Sequence, residues 1–127
     1  MSLEAQIPNV AWPERNGLYK VAQFIIDGQP YLRFGQEYHR HIVQSFAQEI
    51  GLEPILDFKR YIFFLPDEER YKIAGMGRCQ LNLTERVAEF FGVSSDYEIG
   101  ISEEHLELIK PFCPENIGII YNPSRFR

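Results

Sequence analysis

Apolar and polar residues alternate most cleanly over residues 17–26. Leu18, Lys20, Ala22, Phe24 and Ile26 fall on one face and Tyr19, Val21, Gln23 and Ile25 on the other, the two-residue period of a β-strand. Asp27-Gly28-Gln29-Pro30 is turn chemistry, and a short second strand over 31–34 follows. The period then changes. Across 36–50, Ile42, Val43, Phe46 and Ile50 recur at the ~100° step of a helix, with Tyr38 at the edge of the apolar arc and Gly51 placed to stop it. Residues 55–58 and 61–65 read as strands, Pro66-Asp67-Glu68-Glu69 as a polar turn, 71–76 as a strand and 77–81 as a loop. Asn82 with Glu85 three residues on has the form of a capping box. Leu83, Val87, Phe90 and Phe91 then supply the apolar stripe of a second helix, ended by Gly92. Strands are expected over 97–101 and 117–121, with a short helix over 103–110 capped by Ser102 and stopped by Pro111. The pattern predicts a single α/β (α+β) domain. Its mixed sheet of about six strands is flanked by two main helices, with hairpin spacing pointing to antiparallel pairs.

Composition narrows the classes of function. A chain of 127 residues with 45% hydrophobic and 24% charged residues is sized and composed to bury one core without disulfides or a metal. The formal net charge is −5, and Lys and Arg are scattered rather than clustered, which argues against a nucleic-acid partner. No run of about 18 apolar residues is present, so no membrane-spanning helix is expected. No basic start leads into an apolar stretch, so no signal peptide is expected and a cytoplasmic, soluble protein is. Cys79 and Cys113 are free thiols in a reducing compartment. Neither a Cys-x-x-Cys nor a His-x-x-x-His pattern occurs, so no metal or other cofactor is expected.

Two places carry candidate chemistry. His39 falls near the middle of the apolar arc of the first helix, whereas His41 falls opposite, towards solvent; His105 also reads as a solvated surface residue. In the first helical turn, His39 would sit among free N–H groups that attract an anion and disfavour its own protonation. A neutral imidazole beside an anion site is the species needed for a general base or a nucleophile. On periodicity alone, a histidine on an apolar face is more often a hydrogen-bonded core residue than a catalyst. The second place is Gly75-Met76-Gly77-Arg78-Cys79-Gln80-Leu81-Asn82, between an expected strand and an expected helix. Glycines permit close backbone approach, successive N–H groups can cradle phosphate, and Arg78 adds a fork of donors. The segment is neither a Walker loop nor Gly-x-Gly-x-x-Gly, so a tight turn accounts for it as well. Six residues after Cys79 stands Glu85 rather than arginine, so Cys79 is read as a small packing or lining residue.

Several segments, in order, resemble the Janus/Ocnus family of phosphohistidine phosphatases. They are Ile7-Pro8-Asn9-Val10 with Gly17-Leu18-Tyr19-Lys20-Val21, then Leu32-Arg33 leading into Glu37-Tyr38-His39, then Lys72-Ile73 followed by Gly77, then Asp96-Tyr97-Glu98-Ile99. The resemblance covers residues 7–101, and the extension over 102–127 lies outside it. It implies a phosphohistidine-phosphatase-like mixed sheet with two helices. It also implies metal-independent hydrolysis of a phosphoramidate, on a phosphorylated protein or a small phosphoramidate. By the same resemblance His39 is catalytic. Lys20, Arg33, Arg60 and the segment Gly77, Arg78, Cys79, Gln80 and Leu81 hold phosphate. The chain departs from the family in having Asp57-Phe58-Lys59 in place of a glycine run, Cys79 in place of serine, Leu81 in place of alanine and His41 in place of aspartate. Those departures motivate an alternative: a non-catalytic module that binds phosphate or phosphoprotein on the same fold.

Overall fold

A computed structural model describes residues 7–125. The long alternating segment is β1 (Gly17–Ile26), and it turns through Asp27 and Gly28, both at positive φ, into antiparallel β2 (Gln29–Gly35). Helix α1 follows at His39–Glu49. It stops where expected: Gly51 takes a φ of 77°, its N–H bonds to the Gln48 carbonyl, and the Leu52 N–H bonds back to the Ala47 carbonyl. That pair of bonds is a Schellman ending, which needs the left-handed residue that glycine supplies most easily. A short hairpin, β3 (Ile55–Asp57) with β4 (Ile62–Phe64), leads to β5 (Tyr71–Asn82), the longest strand. Then come β6 (Val87–Phe91), the small pair β7 (Val93–Ser94) and β8 (Ile99–Gly100), helix α2 (Glu103–Ile109), a single 3₁₀ turn (Lys110–Phe112) and β9 (Gly118–Tyr121).

The main sheet is mixed, with five strands in the order β2-β1-β5-β6-β9 and only β9 parallel to its neighbour. Each face of the sheet carries one helix and one core. On the first, Ala22, Phe24 and Met76 pack with Val43 and Phe46 of α1, the Phe24 and Phe46 rings stacking at 4.2 Å. On the second, Val21, Leu32, Cys79, Leu81, Ala88 and Phe90 pack with Leu106 and Ile109 of α2. The architecture is thus α+β, a mixed sheet flanked by two helices. The segment after Ser102 is part of it, through α2 and edge strand β9. No helix among the described residues is long and apolar enough to cross a membrane.

Two expected elements are different in the structure. Residues 77–81 are not a loop but the interior of β5, paired with β1 on one side and, from Arg78 onward, with β6 on the other. Residues 82–91 are not a helix but a turn and strand β6. The cap-like contact does form, the Glu85 N–H bonding to Asn82 Oδ1 at 3.0 Å. Arg86 then adopts a φ of 58°, which reverses the chain before a second helical turn can begin. Val87, Ala88, Phe90 and Phe91 satisfy a strand's packing as well as a helix's, and the open edge of β5 decides between them. The second helix of the fold is α2, where a short helix was expected.

Candidate functional site

His39 opens α1 and is buried against the sheet. Its Nε2 lies 2.9 Å from the Gly77 carbonyl oxygen. A carbonyl only accepts, so Nε2 carries the hydrogen and the lone pair of the neutral ring is on Nδ1. Nδ1 has no protein partner, yet no buried side-chain nitrogen or oxygen among the described residues lacks one, so Nδ1 meets solvent. The pKa of His39 is lowered, first by burial and then by Lys20 and Arg78; the Gly77 carbonyl and Asp96 oppose the shift. The ring is therefore held neutral with its basic nitrogen outward.

Lys20 and Arg78 stand directly opposite each other in the β1–β5 register. Like charges at opposed positions destabilise a sheet, and among the described residues neither forms an ion pair with a carboxylate. Five cations in the described chain are ion-paired: Arg33 with Glu49, Arg60 with Asp57, Arg70 with Asp27, Lys110 with Glu107 and Arg125 with Glu89. Of the described cations without such a partner, those half-buried are Lys20, Arg40 and Arg78; Lys20 and Arg78 act on His39, and Arg40 follows it in α1. Tyr38 links two of them, with Lys20 Nζ 5.3 Å and the Arg40 guanidinium 4.2 Å from its ring centroid. The first turn of α1 adds to the positive field, since Tyr38 at the N-cap makes no side-chain cap and no acid occupies the turn. A chain with more acid than base thus places two half-buried cations without an ion pair, Lys20 and Arg78, near one neutral histidine.

The other expected site residues divide. Gln80 shares the face of Lys20 and Arg78 by alternation, half-buried. Cys79 and Leu81 point the other way, into the second core, and burial pushes the Cys79 thiol up to about 12, so it is neither a thiolate nor a phosphate ligand there. Gly77 contributes its carbonyl to His39, but the backbone of 78–81 is engaged in ladders on both sides and forms no open cradle. Arg33 is not at the site. It is buried, and its five N–H groups go to both Glu49 oxygens and to the carbonyls of Pro8, Asn9 and Leu32. It ties the N-terminal segment to α1 and has no donor left for a phosphate. Arg60 lies on the β3–β4 turn, 3.8 Å from Asp57, without contact to His39.

His105 is not on the surface either; it is fully buried. Its Nε2 faces the Phe24 and Tyr31 carbonyls at 3.0 and 2.9 Å, and its Nδ1 accepts from Gln23 Nε2 at 3.3 Å. All its bonding capacity is used in fastening α2 to β1 and β2. Sequence reasoning missed Arg40, Asp96 and the opposition of Lys20 to Arg78. The last was readable only from register, which depends on treating 77–82 as a strand. A groove of about 440 Å³ borders the cluster, lined by Glu37, Tyr38 and His41, and two others of about 390 and 420 Å³ lie away from it; none of the three is lined by His39, Lys20 or Arg78. No model of a known protein family matches the chain, and no curated protein does.

Proposed function

We propose that the chain is a metal-independent phosphatase for a phosphoramidate such as protein phosphohistidine, with His39 as its base. The observation that carries this reading is the opposed, unpaired Lys20 and Arg78 beside a neutral His39. The phosphoryl oxygens would lie against these two cations and the free N–H groups of α1, which offset negative charge as the P–N bond loosens. His39 Nδ1 would take a proton from the attacking water as its oxygen bonds to phosphorus. The P–N bond breaks, and the departing nitrogen takes up a proton. Attack on phosphorus by Nδ1 itself uses the same geometry. The resemblance to the Janus/Ocnus family supports the same reaction, although the expected backbone cradle is replaced by side-chain cations.

A second reading is binding of phosphate or phosphoprotein without turnover. It is favoured by the inward-facing Cys79 and Leu81, which leave the site no hydroxyl or loop amide from this segment. One experiment separates the two: release of phosphate from a phosphohistidine peptide, alongside calorimetric titration with inorganic phosphate. Under the first reading His39→Ala loses turnover by at least about 100-fold and keeps phosphate affinity, while Lys20→Ala weakens affinity about tenfold. Turnover surviving His39→Ala rules out the catalytic role. Wild-type protein without phosphate affinity rules out both readings.

A further inference from the structure

The β3–β4 hairpin ends in Phe58-Lys59-Arg60-Tyr61, next to the anion site. Phe58 is 82% exposed and Tyr61 60% exposed. The tip is nonetheless organised. Asp57 Oδ1 accepts from the Lys59 and Arg60 N–H groups at 2.9 and 3.3 Å, and the Tyr61 N–H bonds to the Asp57 carbonyl at 2.7 Å. Tyr61 adopts a φ of 57°, the only aromatic among five described non-glycine residues at positive φ. That conformation is costly for a bulky side chain, and it holds an apolar ring out in water. The ring's described neighbour is Arg40, whose guanidinium lies 5.3 Å from the Tyr61 centroid and 4.2 Å from that of Tyr38. Among the described residues Arg40 makes no hydrogen bond or ion pair, and its guanidinium lies over two rings with its N–H groups unbonded.

We propose that Arg40 and the hairpin tip form a docking surface for an acidic polypeptide segment. A guanidinium stacked on rings and free along its edge is prepared for bidentate contact with a carboxylate. Lys59 and Arg60 add positive charge, and Asp57 is already engaged with the turn amides and Arg60. The chain as a whole carries −5, so an acidic partner is repelled elsewhere and drawn to this patch, which orients it. Single-stranded nucleic acid is the less suitable occupant. It needs a run of bare ring faces for successive bases, whereas Phe58 alone of the three exposed rings has no described cation over it; Lys20 and Arg40 lie over Tyr38 and Arg40 lies over Tyr61. If the phosphatase reading holds, the substrate is a phosphorylated side chain within an acidic protein segment, held outside the reacting centre by this patch.

Fluorescence anisotropy of the full chain tests the proposal with three labelled probes of equal length: an unphosphorylated Glu/Asp-rich peptide, a Lys-rich peptide and oligo-dT. The acidic peptide is expected to bind, more weakly as salt rises, and the basic one not to bind. Tyr61→Ala and Lys59→Glu are each expected to weaken the acidic peptide at least tenfold, with circular dichroism and thermal melting unchanged within a few degrees. No binding of the acidic peptide, or equal binding by those two variants, overturns the proposal. Oligo-dT binding more tightly than the peptide overturns it in favour of nucleic acid. Turnover of free phosphohistidine is read separately with Phe58→Ser, which is expected to leave it unchanged while raising KM for an acidic phosphopeptide. A wild type inactive on both substrates refutes the phosphatase reading, and peptide binding still decides the docking surface.

Discussion

His39 and His105 share one chemical state and serve different ends. Both are buried, both place Nε2 against backbone carbonyls, and burial lowers the pKa of both. They differ at Nδ1, which Gln23 occupies in His105 and which is open in His39. The lowered values have a definite consequence for stability. An unfolded histidine titrates near 6.5, and the folded rings titrate below that. As pH falls through 6.5, the unfolded chain takes up protons that the folded chain refuses. Stability from these two groups is therefore fully present above about pH 6.5 and is lost progressively below it. Urea midpoints should be level from pH 7 to 8 and decline as pH drops towards 5. Under the phosphatase proposal, activity should respond to His39 alone, with the acid limb of its pH profile below about 6.5. Asp96→Asn should move that limb lower, because Asp96 raises the His39 pKa, and Lys20→Ala should move it higher. His39 was legible in the sequence because a helical wheel places it inward. His105 was not, because its partners lie on β1 and β2, more than 70 residues away.

The turn between β5 and β6 shows how one local signal serves two elements. Asn82 caps the Glu85 N–H as an N-cap would, but the left-handed Arg86 sends the chain back as a strand. Substitution can tell turn from helix. In a helix interior, Arg86→Gly would cost about 1 kcal/mol. At a positive φ glycine is at ease, so Arg86→Gly should be neutral or slightly stabilising, and Arg86→Val should cost more than about 1 kcal/mol. Chemical denaturation of the two variants measures both. The short-range signals were reliable where one element alone could use them, as at Gly51 and along β1. They were ambiguous where aromatic and β-branched residues suit either period.

Across the whole molecule, the glycines of β5 let protein approach protein. A Cβ at Gly77 would lie 2.6 Å from the Phe91 carbonyl oxygen and 2.7 Å from Ile101 Cγ1; one at Gly75 would meet the Gly100 carbonyl oxygen and the Ser102 nitrogen, each at 2.7 Å. Both strands of contact close the sheet against the segment that leads into α2. Gly77→Ala should therefore lower stability by about 1–3 kcal/mol through forced backbone movement, seen as a lower melting temperature. A glycine that served only to admit a ligand would instead lose phosphate affinity at unchanged stability.

Taken by itself, the sequence determined the period of β1 and α1, the end of α1, the α+β class and the inward direction of His39. Each of these depends on residues within a turn or two of one another, where spacing and side-chain chemistry suffice. Tertiary structure alone decided that 77–82 is a central strand, that Lys20 faces Arg78, that Arg33 is bound to Glu49, and that His105 is core. These follow from pairing between distant segments. Register converts a position on one strand into a neighbour on another, and burial converts a polar residue into a partner or a reagent according to which of its atoms stays open.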